Sequence, residues 1–165
     1  MQNPGLIMEV PLLDLSAQHG ELEPEILEAL GRIVRSGRFV LGEEVTGFEE
    51  EFARLLGVRE AVGLTSGTDA LLVAMMALGI GPGDEVLMPA FTFFATAGSV
   101  ARLGARPVFV DACPVCYNLD LRDADVLVNV RTKAVIPVHL FGQCAPMDPV
   151  LEFAGRHGLY CVEDA

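Results

Sequence analysis

Apolar runs of four to six residues recur along this chain between stretches of helical periodicity, and this alternation limits the fold more than any other feature of the sequence. The runs are Ala61 to Leu64, Glu85 to Met88, Arg106 to Asp111, Ala134 to Val138 and Leu159 to Val162, the third ending in a carboxylate. A strand with one wet face alternates apolar and polar residues. A continuous run instead suits a strand buried on both faces, as in a parallel sheet covered by helices front and back. Between the runs, Ala70 to Leu78 and Thr92 to Leu103 read as helices, with Phe93 and Phe94 at the mouth of the second. Met147 to His157 reads as a helix with Met147, Val150, Leu151 and Ala154 inward, and the polar stretch Asp120 to Asp125 suits a short helix. The expected class is α/β: a mostly parallel sheet with helices on both faces.

Two amphipathic stripes precede the first run. Leu22, Ile26, Leu30, Ile33 and Val34 form one, stopped at Ser36-Gly37; Val45, Phe48, Phe52, Leu55 and Leu56 form the other, stopped at Gly57. Both are expected to be scaffold facing a core. A length of 165 residues with 52% hydrophobic residues supports one compact unit, and no repeat, low-complexity tract or linker divides it. The 23 acidic against 11 basic residues give a net charge of -12, which disfavours nucleic-acid binding but leaves room for a small anion held by backbone donors. The opening residues have no basic start and carry Pro4, Glu9, Pro11 and Asp14, unlike a signal peptide. Leu71 to Leu78 is too short to cross a bilayer, where ~20 residues are needed. A cytoplasmic protein with no membrane segment is expected.

The chemistry gathers after Ala61. Thr65-Ser66-Gly67-Thr68-Asp69 lies between a run and a helix, where backbone N–H groups become available to an anion. Gly67 permits close approach, and Ser66 and Thr68 add hydroxyls; an ordinary helix cap by the same residues is the alternative. Phe91, Phe93 and Phe94 are a core cluster or a cover for a flat ring. His139 is either beside such a ring or a hydrogen-bonded structural residue, and Asp164, just past the last run, lies where ligands of open α/β sheets gather. Cys113 and Cys116 form one C-x2-C pair, but Cys144 and Cys161 make no second, so free thiols are expected and no metal site. Asp14, Asp111 and Glu163 do not make up a metal set, and no hydrolase or zinc-enzyme motif occurs.

In order and spacing, these segments resemble the DegT/DnrJ/EryC1/StrS family of pyridoxal-phosphate (PLP) enzymes. The resemblance runs from Val10-Pro11-Leu12-Leu13-Asp14-Leu15 through Ser36 to Gly42. It continues in Thr65 to Leu71, Gly83-Asp84-Glu85-Val86, Pro89 to Thr96, Thr132 to Gly142 and Glu163-Asp164-Ala165. It implies the aspartate-aminotransferase-like fold, with residues 1–165 as a partial PLP-binding large domain plus N-terminal arm, and the small C-terminal domain absent. By resemblance, Gly67 and Thr68 bind the PLP phosphate with Ser66 beside them. Phe93 then covers the pyridine ring, Asp164 meets its nitrogen, and His139 packs nearby. The segment Ser36 to Gly42 is implied to lie near an active site shared in a homodimer. The implied reaction moves an amino group from an amino acid such as glutamate to a keto group on a nucleotide-linked sugar.

The family's Schiff-base lysine falls beyond the motif ending at Ala165, and Lys133, the single lysine, matches a non-catalytic position. The expectation is therefore a truncated aminotransferase without a catalytic residue of its own, forming no lasting imine with PLP. The alternatives are a non-catalytic remnant kept as an anion-binding or interaction protein, and one half of a split enzyme completed by a complementary chain.

Overall fold

A computed structural model describes residues 10–165, which leaves Pro4 and Glu9 of the opening segment outside the described residues. In chain order the helices and strands are α1 (Ser16–Ser36), α2 (Glu43–Leu56), α3 (Gly67–Ala77), β1 (Glu85–Pro89), α4 (Phe94–Arg102), β2 (Arg106–Val110), β3 (Thr132–Val135), α5 (Met147–His157) and β4 (Tyr160–Cys161). The chain divides between Gly63 and Leu64 into two compact units, where the sequence showed no internal boundary. The junction lies in a stretch of backbone from Val58 to Ser66 that enters no helix or sheet.

In the second unit the strands run in the order β2-β1-β3-β4, and every pairing is parallel. All five residues of β1 are buried, which explains its unbroken apolar run. Val86 and Met88 join Leu71 and Met75 of α3, Val100 of α4, and Ala134 and Ile136 on one face of the sheet. Leu87 faces the other way, with Val135 and with Val150, Phe153 and Ala154 of α5. Helices thus cover both faces, in the α/β arrangement expected. Each fully buried large side chain, such as Met75, Leu87 or Phe153, contributes roughly 1.5–3 kcal/mol over its exposed state.

Four sequence expectations change. Ala61 to Leu64 is no strand: it pairs with none of the described strands, and Val62 is 73% exposed. Apolar content alone does not make a strand when no partner takes up its N–H and C=O groups. Leu151 is exposed, and Phe153 takes the inward place beside Val150 and Ala154. The third change concerns the first unit, where no residue of α1 is buried and Ala53 is the one buried residue of α2. Two helices of this size cannot enclose a core, so their stripes stay open apart from pairs such as Phe48 on Phe52, whose ring centroids lie 5.4 Å apart. The short helix expected in Asp120 to Asp125 is a 3-10 turn slightly later, at Ala124–Leu127.

The amino end of β1 carries a buried carboxylate, Glu85. Asn129 Nδ2 donates to its Oε2 at 2.7 Å, and the guanidinium groups of Arg131 and Arg106 approach Oε1 at 2.7 and 3.3 Å. The Asn129 amide first, then the two guanidinium groups, hold its pKa below the usual glutamate value against the opposing effect of burial. This cluster ties β1, β2 and the turn before β3 together at one edge of the sheet. The chemistry-bearing residues lie at the other. Among the described residues, no helix is long and apolar enough to cross a membrane.

Candidate functional site

A parallel sheet sends every strand toward the same edge, so the segments that follow the strands collect there. Phe91 to Phe94 follow β1, His139 follows the extension of β3, and Asp164 follows β4. Asp164 is held in register by backbone: its N–H donates to the Pro137 carbonyl at 3.0 Å, and its carbonyl accepts from the His139 N–H at 2.8 Å. Val138 and Asp164 thereby continue the parallel pairing of β3 and β4 beyond the strands themselves.

The side chain of Asp164 is positioned by α4. Thr96, fully buried, donates its hydroxyl to Asp164 Oδ2 at 2.6 Å. Its one proton being committed there, the 2.9 Å contact with Thr92 Oγ1 has Thr92 as donor. One turn further along α4, the buried Ser99 hydroxyl donates to the Thr68 carbonyl at 3.2 Å. The same face of one helix therefore grips Asp164 with Thr96 and the first turn of α3 with Ser99, which brings together two segments far apart in sequence. Thr96 and Ser99 were not among the candidates read from sequence. Two hydroxyls three residues apart, in a helix with no other polar residue before its terminal Arg102, were the signal.

At the start of α3, Ser66 is the N-cap: its Oγ accepts from the Asp69 N–H at 3.1 Å. Asp69 in turn accepts from the Thr65 hydroxyl at 2.5 Å, which closes the turn on itself. The capping alternative is thus realised for Ser66, whose own hydroxyl proton stays available. Among the described residues, the N–H groups of Gly67 and Thr68 meet no protein acceptor. A Cβ built at Gly67 would have no heavy atom within 4 Å, so the glycine leaves open space beside two unmet donors at a helix N-terminus. These are the features that an anion requires there.

Phe93 is the residue before α4 and is 72% exposed, so its ring is available to cover a ligand; Phe94 is more exposed still. Phe91 instead leans on Tyr117, with ring centroids 6.2 Å apart. His139 is hydrogen-bonded at both nitrogens: Nδ1 accepts from the Ala145 N–H at 3.0 Å, which places the proton of the neutral ring on Nε2, 3.1 Å from Glu163 Oε2. Lys133, on β3, lies five residues before Val138, the partner of Asp164; along an extended strand that is about 16 Å toward the opposite edge. All four cysteines are free.

Residues 21–165 match the DegT/DnrJ/EryC1/StrS aminotransferase family. The chain is 50% identical to a pleiotropic regulatory protein of Geobacillus stearothermophilus, over 96% of this chain and 42% of that protein. It is 44% identical to the UDP-2-acetamido-2-deoxy-3-oxo-D-glucuronate aminotransferase of Pseudomonas aeruginosa, over 94% of this chain and 44% of that one. Its fold superimposes with a TM-score of 0.91 on NtdA from Bacillus subtilis, solved with bound cofactor PMP, at 33% identity and over 99% of this chain and 38% of that one. The chain spans less than half the length of these relatives.

Proposed function

Since the chain belongs to the DegT/DnrJ/EryC1/StrS aminotransferase family, we propose that its carboxyl-edge site holds pyridoxal 5'-phosphate and, in a protein of its relatives' full length that supplies the Schiff-base lysine, serves amino transfer to a keto group on a nucleotide-linked sugar. The amino donor in this reading is an amino acid such as glutamate. The observation that carries the reading is the pair of grips made by α4, Ser99 on the Thr68 carbonyl and Thr96 on the Asp164 carboxylate.

The residues present fit the cofactor. Gly67 and Thr68 offer unmet N–H donors and open space to the phosphate, and the Ser66 hydroxyl has a proton to give. Asp164 Oδ1, left over once Thr96 has taken Oδ2, would be the group to pair with the ring nitrogen and favour its protonated form. The exposed Phe93 ring would cover one face of the cofactor ring and shield it from water. His139, its Nε2 proton directed at Glu163, steadies the turn that follows β3. When bound, the protonated pyridine ring supplies an electron sink that stabilises a carbanion at the amino-bearing carbon. Lys133 takes no part, since it lies toward the far edge of the sheet.

The site is proposed to work in a homodimer. In the segment between α1 and α2, Phe39, Val40 and Leu41 are 71%, 82% and 81% exposed, which supports a second subunit covering them.

The cofactor reading is tested by calorimetric titration of the chain with pyridoxamine 5'-phosphate, with pyridoxamine as the phosphate-free control. Saturable binding is expected, weakened roughly ten- to a hundred-fold by Asp164→Asn or by loss of the phosphate, the size of one charge-assisted hydrogen bond. Equal binding of both compounds, or no effect of Asp164→Asn, overturns it. Amino transfer is tested on the product of the complete gene by following 2-oxoglutarate release from glutamate in the presence of a 3-keto UDP-sugar.

A further inference from the structure

The Cys113-x2-Cys116 pair lies outside the site described above, at the tip of a hairpin following β2. The hairpin is closed by the antiparallel bridge between Ala112 and Leu119 and by the Cys113 N–H donating to the Asn118 carbonyl at 2.9 Å. Within it, the Tyr117 N–H donates to the Cys113 carbonyl at 2.8 Å, and Tyr117 takes a left-handed conformation with φ 60°. That bond winds Cys113 to Cys116 into one helical turn, and residues three apart in such a turn share a face. Both thiols are partly exposed and line the same cleft of about 370 Å³, with Arg122, Pro149 and Arg156 among its other walls. The Gln143 side chain braces the turn by donating to the Cys116 carbonyl at 3.2 Å.

We propose that Cys113 and Cys116 form a thiol–disulfide exchange pair, with Cys113 the attacking and Cys116 the resolving thiol, whose co-substrate is a low-molecular-weight disulfide. Cα atoms three apart in a tight turn fall within the span that a disulfide bridges, so closure needs little backbone movement. The Cys116 and Val115 N–H groups and the Cys116 thiol stabilise the Cys113 thiolate and bring its pKa below the ordinary thiol value, outweighing burial and the Asp120 carboxylate. That carboxylate is itself engaged by Arg122. Cys161 is the contrast: burial pushes its thiol up. A metal role is not supported, because no group of three or more His, Cys, Asp or Glu among the described residues is placed to hold an ion.

In the exchange, the Cys113 thiolate attacks one sulfur of RSSR, forming a Cys113–S–SR mixed disulfide and expelling RS⁻. Cys116, losing its proton, then attacks Sγ of Cys113, which forms the Cys113–Cys116 bond and expels a second RS⁻. Two protein thiols are oxidised and one external disulfide is reduced to two thiols, which take up the two protons. None of this depends on the cofactor reading.

The test incubates the chain with glutathione disulfide, blocks remaining thiols by alkylation and maps the products by mass spectrometry. The expected product has an internal Cys113–Cys116 disulfide, with Cys144 and Cys161 alkylated. Cys116→Ser should trap glutathione on Cys113, and Cys113→Ser should react at least ~10-fold more slowly. Far-UV circular dichroism of each variant checks its fold, and the peptide map of the unsubstituted chain decides the matter if a variant fails it. Glutathione spread evenly over Cys144 or Cys161, or no internal disulfide in the unsubstituted chain, would falsify the proposal.

Discussion

Thr96 has one proton and two demands on its oxygen, and the structure settles how they are met: it gives to Asp164 and receives from Thr92. Thr96→Val keeps the shape and removes both bonds. Its expected effect is a drop in pyridoxamine 5'-phosphate affinity of about three- to thirty-fold, because the Asp164 carboxylate loses its positioning donor, with Thr96→Ser restoring most of it. Calorimetric titration of the two variants reads this directly, and an unchanged affinity in Thr96→Val would remove Thr96 from the site. At Gly67 the open space beside the backbone makes a different prediction. Gly67→Ala should leave the thermal midpoint nearly unchanged, since a Cβ built there has no heavy atom of another segment within 4 Å, yet should reduce the advantage of the phosphorylated ligand over pyridoxamine. Thermal unfolding and titration of the one variant check both halves.

At the scale of elements, β1 and α5 were legible because their burial is two-sided or strongly one-sided, and a simple period exposes it. Leu87→Ala in β1 should cost about 2–5 kcal/mol in chemical denaturation, as expected for a large side chain removed between sheet and helix. Ala61 to Leu64 has the same composition as a strand and is not one. Composition reports what a segment avoids, whereas pairing depends on a neighbour that periodicity cannot supply. The stripes of α1 and α2 fail for a related reason: an apolar face states a need for cover, and two helices do not provide it. Of the proposed site, Gly67, Phe93 and Asp164 could be named because glycine turns, aromatics and strand-end carboxylates are conspicuous in sequence. Thr96 and Ser99 could not, since their meaning depends on what a helix face meets across dozens of residues. His139 was left between two readings, and its bonds to Ala145 and Glu163 give it a structural part at the least.

For the whole molecule, the two edges of the sheet have separate duties, and acid separates them. Glu85 titrates below its ordinary value in the folded chain, so the unfolded chain takes up the proton first as pH falls. Its contribution to stability is therefore complete above the ordinary glutamate range and is lost as pH drops through the depressed value. Asp120, lowered to about 2 by Arg122, acts in the same direction further down the scale. With a net charge of -12, protonation also relieves self-repulsion and opposes both. The clean measurement is the difference between the unsubstituted chain and Glu85→Gln in thermal midpoint. That difference should favour the unsubstituted chain near neutrality and shrink toward zero as pH falls below the ordinary glutamate range. Convergence only on raising the pH would contradict the assignment. At the other edge, one negative charge orients two hydroxyls in series. An amide in place of Asp164, turned to donate, would invert both O–H vectors, so a swap of a single functional group would be felt as reversed dipoles as far as Thr92 with the backbone standing still.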